Sequence, residues 1–260
     1  MTSRVMALAG CLLALMATGA VSPAEEIAWG ESVGRALEQS GKTGKPVLVD
    51  VWAIWCVPCR EMDETTYRRA DVVEAIEDFI PVKVDADVQK VFIERYRVEA
   101  FPTVLVLDDE GNEISRALGF VSADEMLALL GAVREGYAEY LELRDEKRDP
   151  RALARVGRYL AHVGNPEEAC GVLRRALKAH KKRDAVREGL ELDLARAQAA
   201  AENYAAAVKI LRRLADAASS DAIRARALLA LANAEAARGH EDEAAAARRR
   251  LDKEFPGVTP

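Results

Sequence analysis

Two cysteines three residues apart, Cys56 and Cys59, restrict the fold of this chain more than any other feature. They follow PVLVDVWA (46–53), an apolar and β-rich run that predicts a buried parallel strand. Apolar residues at helical spacing resume directly after the pair. We therefore predict a strand-to-helix junction, with Cys56 at the first turn of the helix.

Three kinds of chemistry could use such a pair. A zinc site built on C-x2-C needs two further ligands, and the histidines (His162, His180, His240) all lie more than 100 residues away, so no metal is predicted. A purely structural disulfide across so short a loop would restrict the unfolded chain only weakly. A redox pair explains more, because the free N–H groups of a first helical turn stabilise a thiolate at Cys56. Pro58 also suits that turn, where no donor is needed.

The segment VDVWAIWCVPC (49–59) resembles the thioredoxin family, in which a tryptophan directly precedes a C-x-P-C pair. The likeness extends from about residue 27 to residue 130. It implies an α/β thioredoxin fold, with a central mixed sheet flanked by helices. It also implies that Cys56 attacks a substrate disulfide and that Cys59 resolves the mixed disulfide. The only redox group required is the Cys56–Cys59 disulfide itself, so no cofactor is expected.

Two charged residues match further positions of the family. Asp50 corresponds to a buried acid that moves a proton to and from the resolving cysteine, although a strand-end cap is the simpler alternative. A buried carboxylate without a partner should have a raised pKa. Lys83 falls where the family has a lysine beside that acid, and it could equally be a strand lysine with its amine in solvent.

The segment YRVEAFPTVLVL (96–107) supplies the next landmark. Its proline, Pro102, could simply open a strand. The resemblance implies instead a cis proline against the cysteine pair, with the backbone of Phe101 pairing with the substrate chain. The Gly-Asn pair at 111–112 predicts a hairpin turn after this strand. The residues implied to line or border the substrate groove are Trp55, Pro58, Phe101, Thr103, Gly119 and Phe120, whereas Trp52 is expected in the core.

The stretch at 60–87 (REMDETTYRRADVVEAIEDFIPVKVDAD) is similar to the periplasmic C-terminal domain of DsbD-type thiol:disulfide interchange proteins. No histidine separates the two cysteines, whereas strong oxidases of the thioredoxin family use one there to stabilise the thiolate. The resemblance therefore favours a reductant or a disulfide exchanger over an oxidase.

The first 24 residues read as a secretory signal peptide. Arg4 precedes an apolar run at 5–17, and small residues follow at candidate cleavage sites. The run is shorter than the roughly 20 residues that span a membrane. A lipoprotein anchored at Cys11 of LAGC is the alternative. Either way we expect a periplasmic protein, in a compartment where disulfides persist.

The chain changes character near residue 150. Residues 1–149 carry a net charge of −12 and residues 150–260 one of +6. The second half shows three similar helix–turn–helix segments, at 156–177, 194–215 and 231–256. A small residue follows each turn, Ala169, Ala207 and Ala244, at spacings of 38 and 37.

These segments resemble tetratricopeptide repeats, whose period is about 34 residues. A helical bundle without repeats is the alternative. Stacked helix pairs leave a concave face, which the resemblance implies would hold a protein or peptide. Cys170, beside Ala169, fits a packing position, with a third redox thiol as the alternative. Nucleic acid is not expected, because the arginines alternate with alanine and leucine and no aromatic residues separate them.

We therefore predict a signal peptide (1–24), a thioredoxin-like domain (25–140), a linker (141–150) and an all-α helical-repeat domain of about three units (151–257). The predicted protein is an exported thiol:disulfide oxidoreductase that acts on protein thiols and disulfides. It would draw electrons from a membrane or periplasmic donor. The alternative is a chaperone-like or scaffold protein in which client binding dominates.

Overall fold

The computed structural model describes residues 26–256. The predicted signal peptide and Cys11 therefore lie outside the described residues. Within residues 26–256, none of the helices combines the length and the apolar character that crossing a bilayer requires. A sheet with flanking helices forms the first half, and helices alone form the second.

The sheet has four strands in the order β2-β1-β3-β4, and it is mixed because β1 runs parallel to β2 and antiparallel to β3. Its strands are β1 (Val47–Trp52), β2 (Ile80–Asp85), β3 (Thr103–Leu107) and β4 (Glu113–Leu118). The central strand β1 is buried except at Trp52, which confirms the buried strand predicted from its apolar run. Strands β3 and β4 pair as the predicted hairpin.

Five helices surround the sheet: α1 (Val33–Thr43), α2 (Val57–Glu64), α3 (Ala70–Ile76), α4 (Lys90–Tyr96) and α5 (Ala123–Arg134). Alternate residues of β1 face opposite sides of the sheet. Leu48 shares a core with Met62 of α2 and Met126 of α5. Val49, one residue along the strand, shares a second core with Ala36 of α1. This layered arrangement is the α/β thioredoxin fold expected from the sequence.

The second half consists of helices alone. They are α6 (Tyr137–Leu143), α7 (Pro150–His162), α8 (Pro166–Ala179), α9 (Ala185–Ala200), α10 (Tyr204–Ala217), α11 (Asp221–Ala237) and α12 (Glu241–Glu254). From α7 onward each helix packs on the next, and α9 also contacts α7 and α11. The all-helical second half predicted from the periodicity is therefore confirmed.

The last six helices form three pairs that share one turn geometry. Ala169, Ala207 and Ala244 are each the fourth residue of the second helix of a pair, and all three are buried. Just before each second helix, one N–H donates back to a carbonyl of the first helix: Asn165 to Leu160, Asn203 to Gln198, and His240 to Glu235, at 2.8, 2.8 and 2.9 Å. The three helix pairs therefore share one turn geometry, and the sequence spacing of Ala169, Ala207 and Ala244 corresponds to equivalent positions in the structure.

One hydrophobic core joins the two halves. It runs from Val133 of α5 through Tyr137 and Tyr140 of α6 to Leu153 and Tyr159 of α7. The Tyr159 hydroxyl donates to the Val133 carbonyl at 2.9 Å, and the Tyr140 and Tyr159 rings lie 5.1 Å apart. The helical half is therefore packed directly against the sheet-containing half.

A buried carboxylate strengthens this attachment. Asp108, in the β3–β4 loop, is fully buried and accepts hydrogen bonds from the Tyr140 hydroxyl at 3.1 Å and from Arg144 Nη1 at 3.0 Å. It also accepts the backbone N–H of Asn112 at 2.8 Å. Arg144 lies in the segment 141–150, so side-chain contacts hold the start of this segment to the sheet-containing half.

Candidate redox site

Cys56 and Cys59 form a disulfide at the junction between β1 and α2. Cys56 is the N-cap residue of α2, and its Sγ accepts the backbone N–H of Cys59 at 3.2 Å. Pro58 occupies the first turn of the helix. This confirms the predicted junction. The N–H directed at Cys56 is also the kind of contact that stabilises a thiolate.

The disulfide lies beneath an apolar rim. Cys56 is 3% exposed and Cys59 is 4% exposed, so exposure alone does not distinguish the two sulfurs. Ile54 and Trp55 of the preceding loop and Val57, the first residue of α2, are each more than 60% exposed. An incoming sulfur atom would therefore meet apolar side chains before it reaches the disulfide.

Trp55 is fixed in this rim by two contacts. Its indole Nε1 donates to Asp87 Oδ2 at 3.1 Å. Its ring lies edge-on to the ring of Phe101, with 5.6 Å between centroids. The structure thus brings together two groove residues predicted from distant parts of the sequence.

The Phe101–Pro102 peptide bond is cis, as the resemblance implies. The carbonyl of Pro102 accepts the N–H of Gly119 at 2.8 Å, and Gly119 has a φ of 77°, a conformation that favours glycine. Phe120 is exposed beside it. Thr103 is fully buried and its Oγ1 donates to the Ala100 carbonyl at 2.7 Å, so its role in substrate binding stays a prediction.

Asp50 is buried at the centre of the sheet. It is 3% exposed, and the β1–β2 register places it opposite Lys83. Burial raises the pKa of Asp50 to about 6, against the opposing influence of the Lys83 ammonium. Lys83 Nζ lies 3.4 Å from Asp50 Oδ2, so this lysine is positioned as a partner of the acid.

Lys83 also contacts residues that sequence reasoning did not identify. Its ammonium donates to Asp63, and it lies within 6 Å of three aromatic rings. The rings belong to Trp29, Trp52 and Tyr67. Asp63 could have been found, because it lies four residues after Cys59 and therefore on the same face of α2.

These charged groups lead from the interior towards solvent. The exposed fraction of the side chain rises from 4% at Asp50 to 20% at Lys83 and 41% at Asp63. A cleft of about 310 Å³ borders the cluster and is lined in part by Trp29 and Tyr67. The arrangement can therefore exchange protons between a buried carboxyl and water.

The remaining cysteine of the described residues lies apart from this site. Cys170 is buried on α8, in the core that joins the two halves. Burial raises the pKa of the Cys170 thiol, which disfavours the reactive thiolate. Within residues 26–256, His, Cys, Asp and Glu side chains form no cluster of three or more that could hold a metal ion.

We expect Cys170 to resist alkylation in the folded, reduced protein. With excess iodoacetamide, mass spectrometry should find Cys56 modified and Cys170 unmodified, because desolvation raises the pKa of the Cys170 thiol whereas the N–H at the first turn of α2 stabilises a thiolate at Cys56. The same treatment in denaturant should modify both residues and provides the control. Modification of Cys170 in the folded protein at the rate seen for Cys56 would instead support the hypothesis that Cys170 is a third redox thiol.

The first half of the chain is similar to known proteins. Residues 33–134 match the family model described as a thioredoxin-like domain. The thiol:disulfide interchange protein DsbD of Cronobacter sakazakii is 35% identical over 105 residues, which cover 37% of this chain and 18% of that protein. DsbD of Ralstonia nicotianae is 31% identical over 103 residues, covering 38% and 17%. The chain thus spans less than a fifth of the length of these relatives.

Two solved structures are also similar to part of this chain. The oxidised C-terminal domain of Neisseria meningitidis DsbD is 25% identical, with 42% of this chain and 98% of that chain covered and a TM-score of 0.34. A thioredoxin from Thermus thermophilus is 23% identical, with 47% and 98% covered and a TM-score of 0.41.

Proposed function

Because residues 33–134 form a thioredoxin-like domain, we propose that this protein is an exported thiol:disulfide oxidoreductase that reduces or exchanges disulfides in periplasmic proteins. The observation that carries the proposal is the Cys56 sulfur, which caps the first turn of α2 and accepts an N–H there. Similarity to DsbD-type proteins over the same region supports it.

The proposed reaction moves two electrons from the cysteine pair to a substrate disulfide. In the reduced protein, the Cys56 thiolate attacks one sulfur of the substrate, and the second substrate sulfur leaves as a thiolate that takes up a proton. Cys59 then attacks the Cys56 sulfur. The Cys56–substrate bond breaks, the substrate leaves with both sulfurs reduced, and the Cys56–Cys59 disulfide remains.

Asp50 is proposed to take the proton that Cys59 must lose before it attacks. A carboxyl with a pKa of about 6 can accept and return a proton near neutral pH. Lys83 and Asp63 would then connect Asp50 to the bordering cleft. In this scheme these residues assist proton transfer, whereas the cysteines alone exchange covalent bonds.

Substrates are proposed to bind across the apolar rim around the disulfide. Ile54, Trp55 and Val57 would contact side chains beside the substrate disulfide, and the backbone of Phe101 would pair with the substrate chain. Binding would bury apolar side chains of both partners. The favoured substrates are therefore disulfides flanked by exposed apolar residues, as in unfolded or misfolded proteins. We propose that the protein acts as a reductant or a disulfide exchanger. Its electrons would come from a membrane or periplasmic protein.

The three helix pairs are proposed to be tetratricopeptide-like units that bind a protein partner. Their shared turn geometry and their spacing support this proposal. A chaperone-like or scaffold role is the second candidate, because helices 150–254 offer a surface separate from the redox site. If a variant with both Cys56 and Cys59 changed to serine still suppressed client aggregation and supported growth, this second role would be primary.

Trapping of mixed disulfides tests the redox proposal. A tagged Cys59→Ser protein, expressed in a bacterial host, is expected to form adducts on non-reducing gels that dithiothreitol releases, because the resolving sulfur is missing. The Cys56→Ser protein is the matched control and should form none. Mass spectrometry of the released proteins would identify the clients. Equal and near-background trapping by both variants would argue against the proposed function.

A further inference from the structure

Most of the exposed residues in the middle of the first helices of the three pairs are arginines. On α9, Arg196 is the only exposed residue between Leu190 and Ala199. On α11, only Arg226 and Asn233 are exposed between residues 223 and 236. On α7 the exposed residues between positions 151 and 161 are all arginines. We call the five arginines Arg151, Arg155, Arg158, Arg196 and Arg226 the arginine face.

Four of the five members of this face occupy matching positions in the helix pairs. Arg158 and Arg196 each lie eleven residues before the buried alanine of their own pair. Arg151 and Arg226 each lie eighteen residues before theirs. Because α9 contacts both α7 and α11, Arg158 and Arg196 lie on neighbouring helices, whereas Gly189 holds the α9 position that corresponds to Arg151 and Arg226. The charges of Arg196 and Arg226 also influence each other, so the arginine face extends across all three first helices.

The positive charge of this face is only partly balanced. Arg155 pairs with Glu139, and Arg158 pairs with Asp193 at 2.7 Å. Arg151, Arg196 and Arg226 form no ion pair with a carboxylate of the described part of the chain. Partial desolvation of its guanidinium and then the neighbouring charge of Arg226 lower the pKa of Arg196, and Asp193 opposes both effects. Because Asp193 is also paired with Arg158, it balances Arg196 only in part, and a bound anion would relieve the remaining repulsion between Arg196 and Arg226.

We propose that the arginine face binds an extended acidic segment of a partner protein. The proposal rests on the partner-binding role of the helix pairs and specifies the chemistry of the partner. Packed helices lie about 10 Å apart, and an extended chain rises about 3.3 Å per residue. Carboxylates at every third residue of an extended segment would therefore match arginines on successive first helices, such as Arg158 on α7 and Arg196 on α9. Nucleic acid is a poorer occupant, because none of the exposed residues of the face is aromatic and able to stack on bases.

Fluorescence anisotropy with a labelled peptide tests this proposal. The probe is a short peptide with glutamate at every third position, and its twin has glutamine at the same positions. The full chain is expected to bind the glutamate peptide more tightly, and binding should weaken as salt is raised. The Arg196→Glu/Arg226→Glu variant should bind it at least about tenfold more weakly, because like charges would then face each other.

The matched control is Arg248→Glu/Arg249→Glu, which makes the same change in net charge at exposed positions of α12. This control should change binding by less than about twofold, because screened charges outside the face contribute little. The Arg196→Gln/Arg226→Gln variant removes charge without reversing it and should give an intermediate loss. Thermal unfolding followed by circular dichroism would check that each variant is folded.

Several results would overturn the proposal. These are equal loss in the Arg196/Arg226 and Arg248/Arg249 variants, equal binding of the two peptides, or tighter binding of a single-stranded oligonucleotide. The proposal would also fail if the Arg196→Glu/Arg226→Glu variant changed only self-association, because the face would then mediate contacts between copies of this chain. Reduction of insulin disulfides, measured on the same preparations, should stay unchanged in every arginine variant. Loss of peptide binding is thereby separated from failure of the redox proposal.

Discussion

Replacement of Cys56 by serine is expected to reduce the catalysed reduction of insulin disulfides to the uncatalysed rate, a loss of at least about a hundredfold. No other sulfur of the described residues is placed to take over. Cys59 lies inside the first turn of α2, where its own N–H is directed at Cys56. Cys170 is buried on α8, away from the pair. The turbidity of insulin, with dithiothreitol as the electron source, measures the effect.

The control for this prediction is Cys170→Ser, which removes a sulfur but leaves the redox site intact. It should retain full activity once its folded fraction has been measured by circular dichroism. Retention of more than about a tenth of the activity by Cys56→Ser would show that another group attacks the disulfide. The thiolate at the first turn of α2 would then not be the nucleophile.

Replacement of Asp50 by asparagine is expected to stabilise the oxidised protein at neutral pH. Burial raises the pKa of Asp50 from 3.8 to about 6, so the folded protein binds this proton more tightly than the unfolded chain does. Stability is therefore lost as the pH rises from about 4 through about 6, by up to about 3 kcal/mol. Asparagine does not titrate, so Asp50→Asn removes this pH-dependent loss of stability. Lys83 keeps a carboxylate partner in Asp63.

Urea unfolding across a pH series measures this effect. The Asp50→Asn variant should have the higher free energy of unfolding at pH above 7, and the difference should shrink towards zero below about pH 4. A variant less stable than the wild type at neutral pH would contradict the prediction. It would mean that the contact with Lys83 outweighs the cost of burying the charge.

The same substitution should have the opposite effect on turnover. Asparagine cannot accept the proton of Cys59, so the second step should slow and the mixed disulfide should persist longer. If removal of the Asp50 carboxyl makes the protein more stable and less active, this carboxyl lowers the stability of the fold but is required for turnover. Stability and turnover, measured on one preparation, therefore test Asp50 twice.

The parts of the site that the sequence predicted well are local. The apolar run before Cys56 and the helical spacing after it define the junction, because both patterns lie within a few residues of the pair. The resemblance added Pro102, which is distant in sequence but belongs to a recognisable motif. Thr103 follows it in that motif. Its burial depends on strand packing that the motif does not specify.

The cluster around Lys83 could not be predicted in the same way. Trp29, Trp52 and Tyr67 come from three separate segments, and only the tertiary structure places their rings around one ammonium. The attachment of the helical half has a similar cause. Periodicity indicates which residues of a helix are buried, but it does not indicate which other element covers them. The contact between Asp108 and Arg144 is therefore visible only in the structure.

The core that passes from α5 through α6 to α7 has a consequence for how substrates are chosen. A flexible tether would let the cysteine pair search a wide volume around any protein held by the helices. Packed as it is, the pair can reach only one region relative to a bound segment. Selection would then depend on how many residues of the client separate its recognised segment from its disulfide. Two clients with identical affinity could thus differ in whether they are reduced at all.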